Sequence, residues 1–186
     1  MLLLVIGLVL FFLIHLVPAS PELRRGLVER FGEPVYKIAF SIVALAGFAL
    51  IVYGYGKLYA TPGKNPEIWS PPNAMRHASM LLMLPAFVLL VAAYIPSRIR
   101  TATRHPMLIA VKLWALAHLL VNGDLASIVL FGSFLAYAVF DRISVKHRVA
   151  LGPLGARTGG VAGDIAVLVL GTGLYVLMLL WGHARL

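Results

Sequence analysis

The sequence predicts an all-α fold: a polytopic membrane helix bundle of about six transmembrane helices, forming a single domain over residues 1–186. Three observations carry that expectation. Hydrophobic residues make up 61% of the chain and charged residues only 12%, with a mean hydropathy of +0.92. That charged share is about half the usual one for a soluble domain, and a soluble core has no room for so much apolar surface. The apolar residues are gathered into long runs. The basic residues are confined to the short segments between them.

Six apolar runs follow in order: Leu2–Val17, Val35–Tyr53, Ala78–Ile95, Pro106–Val121, Leu125–Phe140 and Val161–Gly182. In hydrocarbon an unpaired backbone group is too costly, so each run is expected to be helical. A run of about 16 residues rises ~24 Å, a little short of the ~30 Å apolar core of a bilayer. The first, fourth and fifth runs must therefore borrow flanking residues or thin the bilayer locally. Val17-Pro18-Ala19 resembles a signal-peptide cleavage site, but Arg24 and Arg25 follow the apolar run and no basic residue precedes it. Secretory signals have the opposite charge order, so residues 2–17 are expected to be a retained first span.

Between the fourth and fifth runs stands little more than Asn122-Gly123-Asp124. Gly123 suits a helix C-terminal position with positive φ, and Asp124 suits the N-cap of the next helix. Runs four and five are thus expected to form an antiparallel hairpin, with Gly132 and Ala136 allowing close packing on the second arm. The segment from Thr61 to Asn73, with Pro62, Pro66, Pro71 and Pro72, reads as an extended connection or a short lid.

The net charge is +9. Its distribution argues against nucleic acid as the partner and for a lipid bilayer with anionic headgroups. Arg24, Arg25, Arg30 and Lys37 fall in loop one and its edges, Arg98, Arg100 and Arg104 in loop three, and Arg142, Lys146, Arg148 and Arg157 in loop five. Lys57, Lys64, Arg76 and Arg185 fall on the other side, and Lys112 lies inside a span. The positive-inside rule then places loops one, three and five in the cytoplasm of a bacterial inner membrane and both termini in the periplasm. Cysteine is absent, which excludes disulfides, thiolate catalysis, iron–sulfur clusters and zinc–thiolate sites.

Ionisable groups within a span are expensive and are therefore candidates for function. His15, Lys112 and His118 qualify, with Asp164 near an edge. His77 and His105 stand at span mouths, His147 in a loop and His183 near the C-terminus. Trp114, His118 and Asn122 follow one another at i, i+4 and i+8, so they share a helix face. His118 is either a buried histidine bonded to a neighbouring helix or a ligand. His15 is either an interfacial histidine or a ligand. Lys112 is either snorkelling to the headgroups or placed for function. His105 and His118 lie ~20 Å apart along one helix and cannot share a metal unless that helix is broken. Neutral imidazole is a common haem ligand, and helix bundles commonly house haem. The expected topology sets His15 and His118 more than ~10 Å apart in depth, which makes His118 with His77 or His183 the easier pair. Arg104-His105-Pro106 marks a helix start, with proline at the first helical position and Arg104 at the headgroups.

The stretch Arg104-His105-Pro106-Met107, continuing through Leu113-Trp114-Ala115-Leu116-Ala117-His118-Leu119-Leu120 to Asn122-Gly123-Asp124-Leu125-Ala126-Ser127 and Leu130-Phe131-Gly132, resembles the NnrU family of bacterial membrane proteins. The resemblance extends over most of the chain. It implies a link to denitrification and nitric oxide metabolism, and respiratory or denitrification membrane proteins as partners. That family is similar in turn to zeta-carotene isomerase, which isomerises a carotenoid double bond using b-type haem with histidine ligands. What the resemblance implies is haem b, with His118 and His15 as the matching metal ligands. His77, Trp114, Asn122, Arg104 and His105 complete the candidate cofactor-binding set, and no catalytic residue is assigned. A second reading is a non-catalytic partner or assembly factor of a nitrogen-oxide reductase. A more distant likeness, to the isoprenylcysteine methyltransferase class that uses S-adenosylmethionine, matches at Arg104, His105 and Pro106. The aromatic and the acidic pair of that class are missing, since Met107 and Leu108 follow and Asp141 stands alone.

Overall fold

The structure, a computed structural model, describes residues 1–148 and 154–182. Of the described residues 78% are helical, and none lies in a strand. Its helices are α1 (Leu2–Leu16), α2 (Pro21–Phe31), α3 (Glu33–Ala60), α4 (Ala74–Ala92), α5 (Arg98–Thr103), α6 (Pro106–Leu119), α7 (Leu125–Ser144) and α8 (Val161–Leu177). A 3-10 turn (Val17–Ala19) closes α1, and a π segment (Met178–Gly182) extends α8. Five of these segments are long and apolar enough to cross a membrane, and α6 is a shorter apolar helix. The fold class expected from the sequence is the one observed.

By contact the chain clusters into two compact units, one of residues 1–69 with 123–133 and the other of residues 70–122 with 134–186. In the first, α1 packs along α3. Glycines set the distance between them. A Cβ on Gly7 would stand 2.6 Å from the Ile51 nitrogen, one on Gly47 2.8 Å from the Phe11 nitrogen, and one on Gly54 2.5 Å from the Leu4 nitrogen. Lipid gives helices no hydrophobic reason to associate, so such close backbone approach supplies the dispersion contact that holds the pair. The small-residue positions flagged on the fifth apolar run do not play this role. Among the described residues, nothing lies within 4 Å of a Cβ built on Gly132.

The segment between the first two spans is not a simple loop. It folds as α2, opened by Pro21 at its first turn and closed at Gly32, whose φ is 82°. Glu33 then opens α3 and pairs with Lys37 at 2.9 Å. α3 continues one to two turns past Tyr53, where the apolar run ends. The reason is its far end, where Tyr55 and Tyr59 bond to Ser127 and Asp124 (Tyr55 Oη to Ser127 Oγ 2.8 Å, Tyr59 Oη to Asp124 Oδ2 2.6 Å).

The Pro-rich connection after α3 is pinned rather than loose. Ile68 and Trp69 donate backbone N–H bonds to the Gly123 carbonyl, Leu125 N–H donates to the Pro66 carbonyl, and Asn65 donates to Asp124 Oδ1 at 2.7 Å. Gly123 does not take the positive φ expected of it; among the described glycines, positive φ falls at Gly32, Gly63 and Gly155. Glycine is needed for another reason: the Trp69 carbonyl occupies the space a Cβ would fill. Asp124 does cap α7, accepting from Ser127 N–H at 2.9 Å.

In the second unit α4 packs against α6 and α8. Gly171 lets α8 approach the backbone of Val88, with a Cβ there standing 2.6 Å from the Val88 Cα. α6 and the second half of α7 meet as the expected hairpin, with Trp114 edge-on to Phe134 at 5.4 Å. The connections on either side of α5 and α8 are tied together. Asp164 accepts from Arg98 N–H at 2.7 Å and Ile99 N–H at 3.1 Å, while the buried Arg100 guanidinium donates to the Gly155 and Arg157 carbonyls at 2.6 and 2.5 Å.

Candidate functional site

α6 is short, and its residues fix the geometry of the candidate site. Pro106 occupies its first turn, so the helix starts where the sequence predicts. At its other end Asn122 Nδ2 donates to the His118 carbonyl at 2.8 Å, adding to the backbone N–H bonds that this carbonyl accepts from Val121 and Asn122. Trp114 and His118 lie one turn apart with ring centroids 5.3 Å from each other. Trp114, His118 and Asn122 are thus brought together on one face.

His118 Nδ1 lies 2.8 Å from the Trp114 carbonyl oxygen. A carbonyl only accepts, so Nδ1 carries the proton and donates. The neutral ring then keeps its lone pair on Nε2, the tautomer that a metal-ligating histidine adopts. His15 repeats the arrangement on α1. Its Nδ1 lies 2.6 Å from the Phe11 carbonyl, its ring stacks on Phe11 at 4.1 Å, and Phe40 meets it edge-on at 5.1 Å. Both histidines are half-buried, and each has an aromatic residue one turn before it whose backbone carbonyl accepts from Nδ1.

His15 belongs to the first unit and His118 to the second. His77 is exposed in the opening turn of α4. His147 is exposed beyond α7, and His183 lies outside the described residues. Among the described residues, no group of three or more histidines and carboxylates is placed to hold a metal ion.

Arg104 and His105 form the elbow between α5 and α6. Arg104 has a φ of 60°, the one positive value among the described non-glycine residues. Bulky side chains rarely adopt this region, and such outliers concentrate at functional sites. The His105 imidazole is held below its ordinary pKa, first by burial and then by the positive charges of Arg142, Arg148 and Arg104, against the opposing pull of Asp141.

An apolar cavity of about 210 Å³ lies between α4 and α6, lined by Met83, Ala86, Phe87, Ala110, Val111 and Trp114 among others. Alanines at 86 and 110 make the room. His118 stands one turn beyond Trp114 on the same face of α6. The volume suits a small apolar group or a length of hydrocarbon chain, being below the ~300–1,000 Å³ of sites for larger ligands.

The polar cluster that sequence reasoning missed lies in the first unit, where Tyr55, Tyr59, Asn65, Asp124 and Ser127 are joined by hydrogen bonds. The i, i+4 spacing of Tyr55 and Tyr59 at the polar end of a span was the available signal.

Taken together, the five helices long and apolar enough to cross a membrane and the shorter apolar α6 define the class: an all-α bundle of the membrane-helix type. Within it, the chain matches the model of the family described as NnrU protein over residues 3–186. It belongs to the NnrU family. No curated protein and no solved structure matches it.

Proposed function

We propose that this chain is an integral inner-membrane protein acting in denitrification and nitric oxide metabolism, and that it binds b-type haem through intramembrane histidine, with His118 as its ligand. The observation that carries the reading is the His118 Nδ1 bond to the Trp114 carbonyl, which commits the lone pair to Nε2. His15 shows the same arrangement within its own unit. Haem brings four nitrogen ligands of its own, so one or two histidines suffice to hold it, and no larger cluster of protein ligands is required.

When bound, histidine-ligated haem iron supplies redox chemistry and a site for a diatomic ligand such as nitric oxide. The chain's own residues do the rest. The Trp114 carbonyl orients the His118 ring and strengthens Nε2 as a donor. Trp114 walls off the face toward the cavity, and Asn122 fixes the end of α6 below His118.

The proposed orientation has both termini in the periplasm, with residues 1–186 as one transmembrane domain. The excess of basic residues on loops one, three and five supports it. So does the pairing of loops: the second connection bonds to the turn before α7 in one unit, and the third and fifth bond to each other in the other. These are the pairings that alternate crossings produce.

The test is purification in mild detergent from cells supplied with a haem precursor, followed by a pyridine haemochromogen assay. The reading expects b-type haem near one per chain. A chain that folds and inserts yet carries none would end it.

A further inference from the structure

The second unit ends in a concentration of positive charge that its own carboxylates do not neutralise. Trp114 on α6 meets Phe134 on the antiparallel α7. Eight residues back along α6 and eight forward along α7 both amount to ~12 Å, so Pro106 and Arg142 stand at the same level. The Arg104–His105 elbow therefore lies level with the last turn of α7 and with Lys146 just beyond it. Lys112 lies less than two turns inside.

Two carboxylates are available at this end, and both are committed. Asp141 pairs with Arg148, and Asp164 accepts the N–H groups of Arg98 and Ile99. The buried Arg100 is satisfied by carbonyls. Among the described residues, Arg104, Lys112, Arg142 and Lys146 form no ion pair with a carboxylate. Arg104 is in addition held in a strained backbone conformation with its side chain exposed. Scattered basic residues would satisfy the positive-inside rule. Converged ones repel each other and call for a counter-charge.

The surroundings say which anion. Val139, Phe140 and Ile143 of α7, 43%, 48% and 53% exposed, are apolar residues interleaved with Arg142 and leading up to Lys146. Cations at the end of a span above an exposed apolar face match an amphiphile with a phosphate head and hydrocarbon tails. We propose that Arg104, His105, Arg142 and Lys146 bind the phosphate of an anionic phospholipid that stays with the protein through purification. The site stands independently of the haem reading.

The experiment is native mass spectrometry and quantitative lipid extraction of detergent-purified protein. Wild type is expected to retain anionic phospholipid in near-stoichiometric amount. Arg142→Gln with Lys146→Gln should lower retention roughly tenfold or more, while the charge-conserving pair Arg142→Lys with Lys146→Arg keeps it. Arg24→Gln with Arg25→Gln removes equal charge from α2 and should leave retention unchanged. Equal loss in both Gln pairs, or no retained lipid in wild type, overturns the site in favour of general attraction to the surface. Thermal stabilisation by inorganic phosphate in zwitterionic nanodiscs, without lipid retention, overturns the lipid as the source of the phosphate. Circular dichroism and size-exclusion profiles matching wild type show that each variant is folded.

Discussion

Tyr59 donates a 2.6 Å hydrogen bond to a carboxylate oxygen of Asp124, a residue 65 positions further along the chain. The other carboxylate oxygen accepts from Asn65 and from the Ser127 N–H. One side chain thus holds the end of α3, the Pro-rich connection and the start of α7. Burial pushes the Asp124 carboxyl up, but the bonds from Tyr59, Ser127 and Asn65 outweigh it and hold the group below its ordinary 3.8. Above that pH the carboxylate is ionised in folded and unfolded chains alike, and its contribution is fully present. As pH falls from 3.8 through the folded value, the unfolded chain takes up the proton first and the contribution is lost. Asp124→Ala should cost about 2 kcal/mol at neutral pH through lost charged hydrogen bonds and a lost cap. Asp124→Asn should remove the acid-dependent part of the loss. Detergent-to-SDS unfolding midpoints at pH 6 and below pH 4 measure both. A midpoint of Asp124→Asn that falls as steeply with acid as wild type would refute the assignment.

Gly123 is required for space, not for φ. The Trp69 carbonyl sits where its Cβ would be, and the Gly123 carbonyl accepts from Ile68 and Trp69. Gly123→Ala should push the connection away and break these bonds together. The expected sign is a gain in protease cutting between Thr61 and Asn73, with a stability loss of about 1–3 kcal/mol. Unchanged proteolysis and stability would mean that the connection is not held there.

The α1–α3 pair depends on three glycines. Gly7→Val and Gly54→Val each put side-chain atoms where the facing backbone lies, and each should destabilise by about 1–3 kcal/mol or more. Gly56→Ala and Gly132→Ala meet open space and should be neutral or stabilising by up to ~1 kcal/mol. SDS unfolding of the four variants side by side reads the ranking. An equal response at all four positions would contradict the packing.

The proposed orientation places the C-terminus in the periplasm. An alkaline phosphatase fusion there should be active and a green fluorescent protein fusion dark, with the reverse at a fusion after Ser144. A bright fluorescent C-terminus would require an odd number of crossings or the opposite orientation.

Apolar run length was enough to place the spanning helices to within a turn or two, because in hydrocarbon helix is the only way to satisfy the backbone. Asp124 as a cap and Pro106 as a first-turn residue were also readable, since both act on their immediate neighbours. What escaped depends on distant partners. α2 is amphipathic and short, and it packs on α3 through contacts that no local pattern announces. Gly7, Gly47 and Gly54 carry the close packing because of what faces them, whereas Gly132, in an equally suggestive spacing, faces open space. At the candidate site, the shared face of Trp114, His118 and Asn122 followed from i, i+4 spacing. The tautomers of His118 and His15 required the backbone carbonyl positions, which spacing alone does not fix.

The most direct measurement is the absorption spectrum of purified wild type, His118→Ala and His147→Ala from haem-supplied cells, before and after dithionite. The account predicts a Soret band and a reduced α-band in wild type and in His147→Ala, and their loss in a His118→Ala variant that still inserts and runs as wild type in size exclusion. A full-strength, unshifted spectrum in His118→Ala would contradict the account.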